Sequence, residues 1–259
     1  MREYLTALAR RRDLILYLVT SGLKAQHRNT ALGYFWWLLD PLLGALIYYV
    51  IVVVLFERGG PGYGAYLIVG LTVWRWLGST IAGATRAIVG QAGIITQVYL
   101  PKIALPIATV LTGLASFGFG LIVLLLLLVT FFGIVPGPAF LWLPLVILSQ
   151  LLFSLTLASI VAFACVFVRD IDTLVGHLMR IWFYGSPVIW TEAMLPDRFR
   201  WGLALNPIAH FLAAYRDVLI AQRSPDVTGL LLIALISTAL LGGVLVLYSR
   251  HEHRIIKAL

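Results

Sequence analysis

Charge is what this sequence has least of. Only 12% of its 259 residues are Asp, Glu, Lys or Arg, against 61% hydrophobic. A soluble domain carries about 25% charged and about 45–50% apolar residues, so little of this chain can be an independent soluble domain, and it reads as a polytopic membrane protein. Cysteine is almost missing: Cys165 is the single one, which excludes an internal disulfide framework and any multi-cysteine metal site. It lies in an apolar run and reads as a packed structural thiol. Reaction motifs are missing too. Without a GxxxxGK[ST] phosphate loop the chain is not an ATPase by itself. There is no HExxH helix and no GxSxG elbow. His251 and His253 in the basic tail read as a solvated face, and His177 and His210 as isolated packing residues. Asp170 and Asp172 beside Arg169 suit salt bridging and helix-start electrostatics better than acid–base work. No residue is nominated as catalytic, and none as a metal ligand. A cleavable signal peptide is not evident either, because MREYLTALARRRD carries charge before any long apolar core.

What is present is a series of apolar runs at membrane-span length, about 20 residues each. Residues 1–30 are basic and only moderately apolar. Leu14, Ile15, Tyr17, Leu18 and Leu23 fall mostly on one helical side, with Arg11, Arg12, Lys24 and Arg28 elsewhere, the pattern of a helix lying in the headgroup region. Residues 31–251 hold six candidate spans, at about 34–56, 63–84, 103–132, 140–168, 174–190 and 229–248, and residues 252–259 form a basic tail. GGPGYG and GIVPGPA make two short turns. Gly113, Ser116, Gly118 and Gly120 make one side of the third span small, allowing close helix approach. A longer polar break, RAIVGQAGIITQVYLPKIALP, separates spans two and three. Arg75 sits between Trp74 and Trp76 inside the second span. A charge at mid-membrane costs about 2.5–3.5 kcal/mol on insertion scales, so it must face protein or water.

Six spans put both termini on one side. The segments on that side carry Arg2, Arg10, Arg11, Arg12, Lys24, Arg28, Arg86, Lys102, Arg169, Arg250, Arg254 and Lys257, whereas the two short loops opposite carry only Arg58. The net charge of +8 is therefore a topology signal, not a nucleic-acid footprint, and orients the chain N-in and C-in.

The stretch from Ile181 to Ile220 is apolar yet cannot be one span. Pro187, Pro196 and Pro207 interrupt it, and Asp197, Arg198 and Arg200 sit in its middle. Each proline removes a backbone donor and disfavours helix before it, and freed backbone groups survive in hydrocarbon only where protein or water satisfies them. The residues alone leave two readings open: a helix lying on the outer surface, or a re-entrant hairpin dipping back into the membrane.

Four motifs in order carry a family resemblance. They are Arg28-Asn29-Thr30-Ala31-Leu32-Gly33 with Trp36, Leu39 and Pro41; Val98-Tyr99-Leu100-Pro101-Lys102 with Leu105-Pro106; Val168-Arg169-Asp170-Ile171; and Ser186-Pro187-Val188-Ile189 followed by Pro196, Arg200-Trp201, Asn206-Pro207 and Tyr215-Arg216. On a six-span plan this resembles the type-2 permeases of ATP-binding-cassette exporters, in the branch that exports O-antigen, capsule or teichoic acid. The match covers nearly the whole chain.

The resemblance implies a homodimer in the cytoplasmic membrane, bound to two copies of a separate ATPase subunit that holds ATP and magnesium, with no cofactor in this chain. It implies a lipid-linked glycan as cargo. It makes Gln97, Val98, Tyr99, Leu100, Pro101 and Lys102 a cytoplasmic coupling helix seated in the ATPase, with an ordinary cytoplasmic loop as the alternative. It assigns Arg169 and Asp170 to a cytoplasmic loop. It favours the re-entrant reading of Ser186, Pro187, Pro196, Asn206, Pro207 and Arg216, at the exterior mouth. Trp36, Tyr48, Tyr49, Phe183, Tyr184 and Trp190 are candidates for the conduit lining, since flat rings with hydroxyls suit sugars; packing or interfacial anchoring is the competing role for each.

Three positions depart from the family pattern. Asp40 stands where a neutral polar residue is common, Gln91-Ala92-Gly93 replaces an asparagine-rich start to the coupling segment, and Arg75 replaces an aromatic. Arg75 is then a candidate for meeting an anionic group of the cargo. The competing functions are a type-2 permease for a smaller lipid or drug and, in another class, a membrane scaffold or passive channel without an ATPase.

Overall fold

A computed structural model describes residues 2–26, 33–55, 57, 60, 62–95 and 100–259. Every regular element in these residues is helical. Two short helices, α1 (Arg2–Arg10) and α2 (Arg12–Gln26), open the chain, where one interfacial helix was expected. On α2, Leu14, Ile15 and Leu18 turn inward while Tyr17 is exposed. The apolar stripe is thus narrower than the sequence periodicity drew it.

Next come α3 (Trp36–Tyr49), prolonged by a wider π-helical turn over Val50–Leu55, and α4 (Tyr63–Thr85). A four-residue α5 (Ala92–Ile95) precedes α6 (Ala104–Phe132). Gly133 ends α6 with φ +65°, and the Ile134 N–H returns to the Leu128 carbonyl at 2.9 Å, the left-handed stop that glycine allows at least cost. A 3-10 turn over Pro138–Trp142 feeds α7 (Leu143–Phe167). Then follow α8 (Ile171–Gly185), α9 (Trp201–Leu205), α10 (Pro207–Leu219) and α11 (Val227–Ala258).

Among the described residues, four helical stretches are long and apolar enough to cross a membrane: Tyr63–Thr85, Ala104–Phe132, Pro138–Phe167 and Val227–Ala258, with a shorter apolar helix at Leu42–Leu55. The fifth expected span, 174–190, differs. Its helix starts earlier and stops at Gly185, so its 15 residues reach only about 22 Å, against a hydrocarbon core of about 30 Å. The physical reason is Pro187, which pushes Ser186 into an extended conformation. The sixth span runs on to Ala258, so the basic tail is helix; no Gly or Pro follows Tyr248 to stop it.

Helix α4 is the most buried of the long helices and α11 the least. Around α4 pack α3, α6, α7, α8 and α10, while α11 lies along α7. Apolar side chains of these elements form the main core, and a second cluster at the other end gathers Tyr4, Ile88, Leu100, Ile103, Leu105, Val166, Tyr248 and Ile255. Helix α8 runs antiparallel to α4. Its start meets Thr85 and Arg86 through Asp172, and residues 187–190 beyond its end meet Tyr63 and Tyr66.

Candidate functional site

The proline-broken stretch makes a hairpin whose loose backbone is taken up by side chains. Past Gly185 the carbonyls of residues 187–190 have no helical partner. Arg216 Nη1 donates to the Pro187 carbonyl at 2.7 Å and Nη2 to the Val188 carbonyl at 3.2 Å. Nε and Nη2 also reach the Tyr66 carbonyl, and the guanidinium lies 3.3 Å from the Tyr66 ring centroid. Tyr66 Oη donates to the Trp190 carbonyl at 2.9 Å, and Tyr63 Oη donates to the Ile189 carbonyl. This planar, five-donor side chain fits because Gly70 leaves the space: a Cβ there would stand 2.5 Å from Arg216 Nη2 and 2.8 Å from the Val188 oxygen.

Asn206 closes the hairpin's other bend. It caps α10, Oδ1 accepting from the Ile208 N–H at 3.1 Å with Pro207 at the first helical position, the residue pair that starts helices best. The same Oδ1 accepts from Trp182 Nε1 at 2.9 Å, and Nδ2 donates to Ser186 Oγ at 2.9 Å. Asn206 therefore lies beside the last turn of α8, while Arg216, further along α10, lies level with Tyr66. The chain turns back alongside α8 before α10 returns. Pro196 is exposed and accepts from the Phe199 N–H in the turn between.

Four aromatic residues meet between α3, α4 and α8. The Phe183 ring lies 5.8 Å from that of Tyr48, 5.4 Å from Trp74 and 5.1 Å from Tyr184. Of the aromatics singled out from sequence, Tyr48, Phe183 and Tyr184 are thus brought together, and Trp190 joins them by donating its indole N–H to the Tyr184 carbonyl at 2.9 Å. Tyr49 is not part of this group. It lines a separate apolar groove of about 540 Å³ with Leu46, Gly64 and Phe132. Trp36 stands in the first turn of α3, half-buried, and Arg75 is exposed on α4 next to Trp74. Trp74 was not among the sequence candidates; its place next to the anomalous Arg75 was the available signal.

At the opposite end of α4, Asp172 accepts from Thr85 Oγ1 at 2.6 Å and from Arg86 Nε and Nη2 at 2.9 and 2.7 Å. The Thr85 hydrogen bond first, then Arg86, hold its carboxyl below the usual carboxylate range. Salt bridging was expected of this acidic pair, but Asp172 makes it across helices, with Arg86. Arg169 and Asp170 are exposed in the turn between α7 and α8.

Of the expected coupling residues, Gln97, Val98 and Tyr99 lie outside the described residues. Leu100, Pro101 and Lys102 are all buried. Lys102 is 1% exposed, donates to the Leu100 carbonyl at 3.0 Å, and stands 3.5 Å from Glu252 Oε1. Its ammonium faces the protein interior and not an outer contact surface.

A family described as ABC-2 type transporter matches residues 13–220. Over 232 residues the chain is 32% identical to the O-antigen export system permease protein RfbA of Myxococcus xanthus, covering 89% of each protein. It is 28% identical over 207 residues to the protein of the same name from Klebsiella pneumoniae, covering 80% of each.

Proposed function

Because the chain belongs to the ABC-2 type transporter family, and is thus a membrane transport subunit, we propose that it is the permease of an ATP-driven exporter moving a lipid-linked polysaccharide of the O-antigen kind across the cytoplasmic membrane. The observation that carries this is the near full-length similarity to two O-antigen export permeases. A separate ATPase subunit supplies the energy, in two copies on a permease homodimer.

In this reading six segments cross the membrane, with N- and C-termini inside. The segment pairing Asp172 with Arg86 faces the cytoplasm and the Arg216 end faces outward. The hairpin from Ser186 to Arg216 is re-entrant. What supports this is that every carbonyl of residues 187–190 has a side-chain donor, the condition for irregular backbone at membrane depth. The conduit runs beside Tyr48, Trp74, Phe183 and Tyr184, with Arg75 next to them for an anionic group of the cargo. Exposed apolar stripes on α3 and its π-helical extension (Leu43, Ile47, Val50, Val54) and on α8 (Leu174, Leu178, Ile181) support a second copy facing this side.

The ATPase contact falls to Gln97, Val98 and Tyr99, with Leu100, Pro101 and Lys102 as their buried root. Co-purification tests that contact: Tyr99→Ala should release the ATPase subunit, and unchanged binding would remove the assignment. For the function, deletion of this chain should leave polymer inside the cell, and restored surface polymer on its return is the expected result.

A further inference from the structure

A buried ion pair joins two parts of the chain that the sequence keeps 150 positions apart. Lys102 is 1% exposed, and Glu252, on the last turns of α11, is 8% exposed. A lysine is almost never fully buried unless paired, and desolvating both charges is costly. The same contact could have been apolar, since Leu100 and Ile103 on either side of Lys102, and Ile255 one turn from Glu252, belong to one buried apolar cluster. Glu252 shares one face of α11 with Tyr248 and Ile255, at helical spacings of four and three. Tyr248 is fully buried, donates to the Ser159 carbonyl at 2.9 Å and packs its ring 5.2 Å from Phe163 on α7. Tyr4 of α1 belongs to the same cluster.

We infer that the C-terminal end of α11 is a coupling element, in which Glu252 positions Lys102 and so ties the segment that follows residues 97–99 to the α7–α11 pair. The inference rests on the proposed function, since it assumes an ATPase acting near Tyr99. A displacement that reaches Leu100 from the chain before it meets packed residues at once. Leu100 and Ile103 are packed, the Lys102 ammonium is held at 3.5 Å by Glu252, and Glu252 is fixed to α7 through its own helix. Movement at Lys102 is therefore passed to α11 as a body. Lys102 is a positioning residue here and does not touch the ATPase.

The test uses the full permease with its ATPase in proteoliposomes and reads three quantities: melting temperature, ATP hydrolysis, and ATP consumed per glycan moved. Glu252→Gln removes the charge. The neutral pair Lys102→Met with Glu252→Leu keeps the volume apolar and guards against loss of folding in the single variant. The swapped pair Lys102→Glu with Glu252→Lys restores the attraction. The expected result is that the neutral pair melts within a few degrees of the native complex and still hydrolyses ATP. Its ATP consumed per glycan rises by about tenfold, the size of an ordinary coupling term, and the swapped pair recovers part of that loss. A native ratio in the neutral pair would overturn the inference, leaving Lys102 and Glu252 as packing only. A swapped pair no better coupled than the neutral pair would overturn it too. Either outcome leaves export by the native complex intact, whereas a native complex that moves no glycan counts against the function itself and takes this inference with it.

Discussion

Arg216 and Pro187 stand 29 residues apart in sequence, and the Arg216 Nη1 donates to the Pro187 carbonyl at 2.7 Å. The same guanidinium serves the carbonyls of Val188 and Tyr66, so one side chain closes a backbone that a proline opened.

Removing it should cost more than a surface substitution. Each buried carbonyl left without a donor costs about 1–3 kcal/mol; Arg216→Leu orphans that of Val188 and leaves that of Pro187 with only the longer 3.3 Å hydrogen bond from Tyr66 Oη. Arg216→Lys should recover only part, because a single ammonium cannot reproduce the fork. Thermal denaturation of the purified protein in detergent should rank native above lysine above leucine.

Gly70 should be intolerant of even one carbon. The added Cβ of Gly70→Ala would fall 2.8 Å from the Val188 oxygen and 2.5 Å from Arg216 Nη2. The carbonyl is backbone and cannot swing away, so α4 and the hairpin must separate. Reduced expression and a lowered melting temperature are expected. Gly93→Ala makes the control, since no atom of the described residues lies within 4 Å of a Cβ at that position.

The Asp172 carboxyl gives a pH dependence with a fixed sign. Thr85 and Arg86 lower its value in the folded state, so its contribution is present above the ordinary carboxylate value of about 3.9. That contribution is lost as pH falls through the lower folded-state value. Melting measured from neutral pH downward should drop more steeply for the native protein than for Asp172→Asn, and parallel curves would remove the interaction from the account.

The aromatic group between α3, α4 and α8 should matter to transport more than to folding. Leucine at Tyr48 or Phe183 keeps apolar volume but loses a ring contact worth about 0.5–1.5 kcal/mol, or roughly 2- to 12-fold in rate. Export should fall by that order, whereas Tyr49→Leu, in the separate groove with Phe132, should leave it near the native level. Equal effects at Tyr48 and Tyr49 would dissolve the distinction.

The sequence made parts of this legible and hid others for identifiable reasons. Long apolar runs such as Ala104–Phe132, whose one proline, Pro106, falls in the first turn, announced themselves within a residue or two. The prolines at 187 and 207 located the broken helix, because proline acts locally and needs no partner to be read. What answers the break was not readable, since Arg216 meets Pro187, and Tyr66 meets Trp190, only through folding. The burial of Lys102 was hidden on the same ground: a lysine in a polar break looks exposed until Glu252, from the far end of the chain, is placed beside it. Tyr48 and Tyr49 are neighbours in sequence and differ in role because a helix turns successive side chains about 100° apart.

The central claim is that this chain, with a separate ATPase, moves a lipid-linked polysaccharide outward. Its most direct test is transport by the reconstituted pair in proteoliposomes loaded with lipid-linked O-antigen. ATP should drive appearance of the glycan on the far leaflet, and a phosphate-loop lysine variant of the ATPase should abolish it. Glycan movement at the same rate without ATP, or ATP hydrolysis that moves none, would contradict it.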